Sequence, residues 1–309
     1  MTKVKKLFYA ALSVVLSLAL VLPVPQAGAA KNTSPDESKG YLWKLEKGKN
    51  TVYLLGSIHV ATEEMYPLSS TIEKAFAESD KLVVEADIAN VDAEQMAKYT
   101  LEKASYPEGE TLKDHISPEL YSQIQELLKS VGLPVNTFDP YEPWYIQMAL
   151  TNLVGISEEY TKVEGIDQYF LNRAGKREIL ELEGVEFQID YFDSMSPSFQ
   201  EKLLYDSLNN PASGNDAQTL DTMALAWEYG DHERMLSVLN SASASSQAMT
   251  LYYQYLNDDR NVGMTEKIKS YLNDGSGDTY FVVAGSAHFL GDSSIVKLLE
   301  KDGYKLTRL

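Results

Sequence analysis

Two nearly unbroken apolar stretches, Val52–Leu55 and Tyr280–Ala284, each run straight into the same pattern: Gly-Ser, one small or apolar residue, then His. Runs this short and this apolar read as strands covered on both faces, the kind found in the parallel sheet of an α/β protein. A glycine at the strand exit permits a sharp turn or the close approach of another backbone. His59 and His288 are therefore both expected where a sheet opens to solvent.

The rest of the chain supplies the other parts of such a fold. Gly48-Lys49-Asn50 is a turn signal between apolar runs at Tyr41–Glu46 and Thr51–Ile58, so a hairpin is expected. A helix at Ser69–Ala77 and a strand at Lys81–Ala86 complete a β-α-β unit with parallel strands. Ser117-Pro118-Glu119 has a capping residue followed by proline at the first helical position, and Leu120, Ile124, Leu127 and Leu128 follow at helical spacing. Further helices are expected at Pro143–Val154, Ile166–Arg173, Pro197–Leu208, Asp216–Tyr229 and Glu233–Leu239, with a short strand at Glu178–Leu182. The Ser/Ala-rich stretch Ser241–Ser246 reads as a loop. A helix over Asn261–Leu272, the turn Asp274–Asp278, a helix over Ser294–Lys301 and a strand over Tyr304–Leu309 close the chain. The expected fold is α/β (α+β): a mixed sheet carrying both Gly-x-x-His strand ends, in one domain spanning 41–309, with a helical insertion at about 110–260.

Lys3, Lys5 and Lys6 precede an apolar run from Leu7 to Val24, and Ala27-Gly28-Ala29 follows as a small-residue cleavage pattern. Residues 1–29 are thus expected to be a cleaved signal peptide and 30–40 a tether, which makes the protein exported; an N-terminal membrane anchor is the competing expectation. Loss of three lysines and no acids moves the formal charge from −18 to −21. So acidic a surface disfavours nucleic acid and anionic lipid. With no cysteine in the chain, disulfides, thiolate metal sites and cysteine nucleophiles are excluded.

Two strands side by side, each ending in Gly-Ser-x-His, would bring two imidazoles within reach of one ion. Glu85, after Leu82-Val83-Val84, offers a carboxylate from a third strand end; Asp87 is its competitor, on the same face by strand alternation. Two histidines and a carboxylate with open positions suit Zn, Mn, Co or Fe(II). His115 and His232 each sit beside a helix start and read as surface residues. Arg260-Asn261 reads either as the cap of the following helix or as a grip on substrate, and spacing alone favours the cap.

Taken together, Tyr53–Val60, Leu82–Asp87, Gly165–Phe170, Leu182-Glu183 with Gln188, Asp259–Asn261 and Gly285–His288 resemble the TraB/GumN family, which includes the animal TIKI proteases. The resemblance covers roughly Tyr41 to Leu309. It implies a metallopeptidase with a divalent metal, manganese or cobalt ahead of zinc, and a peptide or protein substrate. By position it implies metal ligation by His59, His288 and Glu85, catalytic roles for Glu85, Arg260 and Asn261, and a less defined place for Glu183. The rival expectations are a protein that sequesters a peptide signal uncut, and a metal-free hydrolase of the erythromycin-esterase kind.

Overall fold

The computed structural model describes residues 39–153, 160, 163–209 and 217–309. The expected leader and nearly all of the expected tether lie outside them, as do Val154 and Asp216. In chain order the elements are β1 (Tyr41–Lys47), β2 (Asn50–Ser57), α1 (Ser70–Ala77), β3 (Lys81–Val84), α2 (Ala93–Ala104), α3 (Leu112–His115), α4 (Pro118–Ser130) and α5 (Pro143–Leu153). They continue with α6 (Ile166–Asn172), β4 (Glu178–Glu181), α7 (Val185–Asp193), α8 (Pro197–Asn209), α9 (Ala217–Glu228), α10 (His232–Ser243) and α11 (Gln247–Tyr253). A π-helical segment (Gln254–Asp258) leads into α12 (Asp259–Asn273), followed by β5 (Thr279–Gly285), α13 (Ser286–Phe289), α14 (Ile295–Lys301) and β6 (Leu306–Arg308).

The described residues group into two compact units. One consists of residues 91–153 and 185–209 and is helical. Its α4 starts as the sequence suggests: the Ser117 hydroxyl accepts from Leu120 N–H, Pro118 takes the first position, and Leu120, Ile124 and Leu128 are buried. These three pack with Ile116, Phe138 and Ile146 into a core of the unit's own.

The other unit holds the sheet, whose strand order is β4-β3-β5-β2-β1-β6. The first four strands are mutually parallel, while β1 is antiparallel to both β2 and β6. The sheet is therefore mixed and the fold is α/β. The β1–β2 hairpin turns at Gly48, which takes a positive φ of 63° that a side chain would disfavour. Strands β2 and β3 are parallel, as a β-α-β unit requires, but β5 lies between them and pairs with both. In that pairing Ser57 stands opposite Gly285, and Val84 opposite Val283. Residues on both faces of β2 and β5 are buried, the reason these strands read as continuous apolar runs rather than as an alternation.

Three sequence readings need correction. Helices α2 and α7 were not foreseen. The buried stripe of α2 is Met96, Thr100 and Ala104, with a single large apolar residue, so its periodicity is faint. The stretch Ser241–Ser246 is not one loop: α10 runs to Ser243, and Ser246 caps α11 by accepting from Met249 N–H. Arg260 and Asn261 do not cap a helix, because α12 begins before them at Asp259 and is continuous with the π-helical segment.

Candidate active site at the carboxyl ends of four strands

Each of the four parallel strands delivers one polar residue just past its carboxyl end: Glu183 after β4, Glu85 after β3, His288 after β5 and His59 after β2. Ligand sites of open α/β sheets gather at this edge. Residue 285 marks the point of convergence. A Cβ built on Gly285 would lie 3.5 Å from Glu85 Oε1, 3.7 Å from His288 Cδ2 and 3.9 Å from His59 Nε2. A small space lined by two imidazoles and a carboxylate thus stands open where any other residue would place a methyl group. His288 Nε2 is 3.7 Å from Glu85 Oε1.

Each imidazole is held through its other nitrogen. His59 Nδ1 is 2.8 Å from Asp167 Oδ2, and the Ser57 hydroxyl donates to Asp167 Oδ1 at 2.6 Å. His288 Nδ1 is 2.7 Å from Asn261 Oδ1, while Asn261 Nδ2 donates to the Ser293 carbonyl at 3.0 Å. Oxygen acceptors at both Nδ1 atoms take the Nδ1–H and direct the Nε2 atoms inward. Neither Nε2 makes a hydrogen bond among the described residues. Backbone contacts lock the frame. Ile166 N–H donates to the Ile58 carbonyl at 3.0 Å, and a Cβ on Gly165 would fall 2.1 Å from the His59 carbonyl oxygen, so only glycine fits there. The Ser286 hydroxyl ties β5 to β2 by donating to the Ser57 carbonyl at 2.8 Å.

Glu85 is fixed at both oxygens. Gly285 N–H donates to Oε1 at 2.7 Å, and Arg260 Nη2 donates to Oε2 at 3.1 Å. Arg260 also donates through Nε to Glu183 Oε1 at 2.9 Å and through Nη2 to Glu183 Oε2, a two-pronged grip. Its Nη1 reaches the Leu256 carbonyl at 3.0 Å, inside the π-helical segment. The Arg260 and Glu183 side chains are only 11% and 5% exposed, so this is a buried ion pair.

The charges follow from these neighbours. Burial opposes ionisation of Glu85, but His288, Arg260, His59 and the Gly285 N–H outweigh it and bring the carboxyl down to about 2. Burial also opposes charge on His59, yet the Asp167 carboxylate, aided by Glu85, lifts its imidazole to about 9. Burial pushes His288 down to about 4, with Glu85 pulling against it and Arg260 and His59 adding to the fall. For Arg260, Glu183 and Glu85 overcome burial and hold the guanidinium above its ordinary range.

All the residues expected at the site lie at this edge, though Arg260 and Asn261 do not reach out for a substrate. Arg260 orients Glu85, and Asn261 orients His288. Asp167 was not singled out from the sequence, although it sits in the quoted Gly165–Phe170 segment; it partners His59. Glu183 acquires a place as the anchor of Arg260. Asp87 turns away: its carboxylate accepts from Ala89 and Asn90 N–H and from the Asn90 amide. His115 pairs with Glu110 in the helical unit.

The model of the TraB/PrgY/gumN family matches residues 41–308, the span that contains this whole arrangement. The chain belongs to that family. The uncharacterized protein YbaP of Escherichia coli K12 is 27% identical over 258 residues, covering 82% of this chain and 89% of its own length. Metalloprotease TIKI1 of Danio rerio is 20% identical over 330 residues, covering 92% of this chain and 66% of its own length. Metalloprotease TIKI2 of Xenopus tropicalis is 20% identical, covering 94% and 64%. No solved structure matches.

The family's TIKI members are named metalloproteases, so the donor set has to be tested against an ion. Imidazoles that ligate metals nearly always donate their second ring N–H to a carboxylate or carbonyl, as His59 and His288 do here. The open space at Gly285 lies between the two rings and Glu85. Among the described residues no group of three or more His, Asp or Glu side chains stands at full ligating spacing. The donor types, two imidazoles and one carboxylate, suit a divalent ion, but the three side chains do not stand at ligating spacing in this arrangement.

Proposed function

We propose that this protein is a metal-dependent hydrolase that cleaves peptides or exported proteins, using an ion held by His59 and His288 with Glu85 beside it. The observation that carries this reading is the convergence of two Nδ1-anchored imidazoles and one carboxylate on the space beside Gly285. The named activity of the TIKI relatives supports the peptidase class.

When bound, the ion supplies a Lewis acid for a scissile carbonyl and for the attacking water. The chain does the rest. Asp167 and Asn261 hold the imidazoles in the tautomer that presents Nε2. Arg260 and the Gly285 N–H keep Glu85 ionised and aimed, so that Oε1 can accept a proton from water. Arg260 is a positioning residue here, gripped by Glu183. Manganese or cobalt is the proposed ion, with zinc as the alternative, and the leader-like N-terminus supports export.

A second reading has its own observation. The His59–Asp167 pair is an imidazole with an orienting carboxylate, which serves as a base toward water without a metal once the pH approaches the raised His59 value of about 9. One experiment separates the two. The protein is purified without its leader, its bound metal is measured, and a peptide library is digested with added Mn, Co or Zn. Cleavage that depends on metal and is lost, with the metal, in His59→Ala and His288→Ala is the expected result. Chelator-resistant turnover transfers the mechanism to the His59–Asp167 pair. Peptide returned intact by mass spectrometry under every condition overturns the hydrolase reading in favour of a sequestering protein.

A further inference from the structure

A cavity of about 320 Å³ adjoins the site within the sheet-bearing unit. Ala287, one residue before His288, forms part of its wall, and so does Ser293, whose carbonyl accepts from Asn261 Nδ2. The π-helical segment connects the two places. Asp258 lines the cavity, while Arg260 and Asn261, half a turn further on, orient Glu85 and His288. Whatever fills the cavity therefore touches the residue preceding His288 and the residue whose carbonyl anchors Asn261.

The lining has a definite chemistry. Leu236, Leu239, Leu290 and Tyr253 give it an apolar side, Asp258 and Asp292 give it two carboxylates, and most of the remaining lining is uncharged amides and hydroxyls. Among the described residues no lysine, arginine or histidine lines it. Neither carboxylate forms an ion pair among the described residues, although Lys297 is near enough to feel the charge of Asp292, which leaves Asp258 as the carboxylate without a cation. Asp258 is half-buried, with Ser293 as its hydrogen-bonding neighbour, and burial holds its carboxyl above the ordinary carboxylate range. A partly desolvated anion without a cation beside it attracts one. The volume lies at the small end of ligand pockets, about 300 to 1,000 Å³, enough for one long side chain rather than for a folded ligand.

We infer that this cavity is a substrate subsite that takes one cationic peptide group with an apolar stem, the lysine or arginine side chain of a peptide lying across the site. The stem lies along the leucines and Tyr253, and the ammonium or guanidinium meets Asp258, with Asp292 at the exposed rim. This rests on the peptide-hydrolase reading for the identity of the ligand, but not for the existence of the subsite.

The test keeps the two apart. Fluorescent peptides identical except for one residue, which is lysine, arginine, norleucine or glutamate, are titrated into the full protein in the presence of chelator, where binding is read without turnover. Each is made with a free and with an acetylated N-terminus. The lysine and arginine peptides are expected to bind about tenfold more tightly than norleucine, and the glutamate peptide more weakly still. Asp258→Asn with Asp292→Asn is expected to cut that preference to about twofold. Equal binding of lysine and norleucine peptides overturns the subsite even if the protein cleaves both. A charge preference that survives in the double variant overturns the assignment to these two carboxylates. A preference lost on acetylation makes the terminal ammonium the occupant and overturns the side-chain assignment. Preferential binding of the cationic peptides with no cleavage under any metal leaves the subsite standing and removes the hydrolase reading.

Discussion

The same four parallel strands carry polar clusters at both ends, and the two clusters are built to different plans. At the amino ends, each polar group satisfies a turn or a neighbouring strand. Lys81 pairs with Glu178 at 2.9 Å and with Asp278 at 3.5 Å, and Asp80 accepts from Thr279 N–H. Asn50 donates to the Tyr271 carbonyl and accepts from Gly277 N–H, and Asp274 accepts from Ser276 N–H and the Tyr280 hydroxyl. These groups staple the 274–278 turn to the sheet. At the carboxyl ends the polar groups are also partnered, but they leave two Nε2 atoms without a hydrogen bond among the described residues. A dense polar cluster is thus not what marks a site. The mark is donor capacity left over after the supporting groups have been satisfied.

The sharpest way to break this contrast is at Arg260. Arg260→Met leaves Glu85 and Glu183 buried without their common cation. Loss of one partner from a buried pair costs about 3–5 kcal/mol, which urea denaturation would read directly. Arg260→Lys is expected to recover only part of this, because a lysine cannot grip Glu183 through two nitrogens and reach Glu85 as well. If Arg260→Met unfolds at the wild-type urea midpoint, the buried network does not support the carboxyl edge.

A smaller effect is expected one contact away from the ion. Asp167→Asn keeps the shape of the side chain but weakens the acceptor that holds His59 Nδ1–H. Removing such support typically weakens metal binding about 10–100-fold. Competition against a chromophoric chelator would measure it, alongside thermal unfolding to show that the fold persists. Unchanged affinity would mean that His59 is not a ligand, and would favour the metal-free reading of the His59–Asp167 pair.

Much of this edge was legible in the sequence because the strands announce themselves. Val52–Leu55 and Tyr280–Ala284 are buried on both faces, so their apolar runs are unmistakable, and whatever follows them must emerge at the sheet edge. That places His59, His288 and Glu85. The sequence is silent on strand order: nothing in Lys81–Val84 or Asn50–Ser57 indicates that β5 enters between them, since that depends on the long connection from the end of β4 at Glu181 to Thr279. Asp167 is hidden for a similar reason. It lies in the first turn of α6, where an acidic residue already has a local explanation in the helix dipole. Arg260 and Asn261 read as a cap because the preceding turns are π-helical and have no distinct sequence period.

The smallest effect belongs to the amino ends and tests the other half of the contrast. Asp274 accepts hydrogen bonds from Tyr280, Ser276 and Asn50, and these hold its carboxyl below the usual carboxylate range, with burial opposing them weakly. A carboxylate whose folded pKa is depressed stabilises the fold fully above its unfolded value, about 3.9, and loses that contribution as the pH falls toward the folded value. Asp274→Asn should therefore destabilise by about 1 kcal/mol at pH 7. The deficit should shrink steadily below about pH 4, where Asp274 of the unfolded wild-type chain takes up a proton while the folded carboxylate stays ionised. Peptide cleavage and metal affinity should stay at wild-type values, since every partner of Asp274 lies at the end of the sheet away from His59 and His288. A loss of cleavage at unchanged stability would show that the two ends are coupled through β2 and β5, and the contrast between a stapled edge and a working edge would fail.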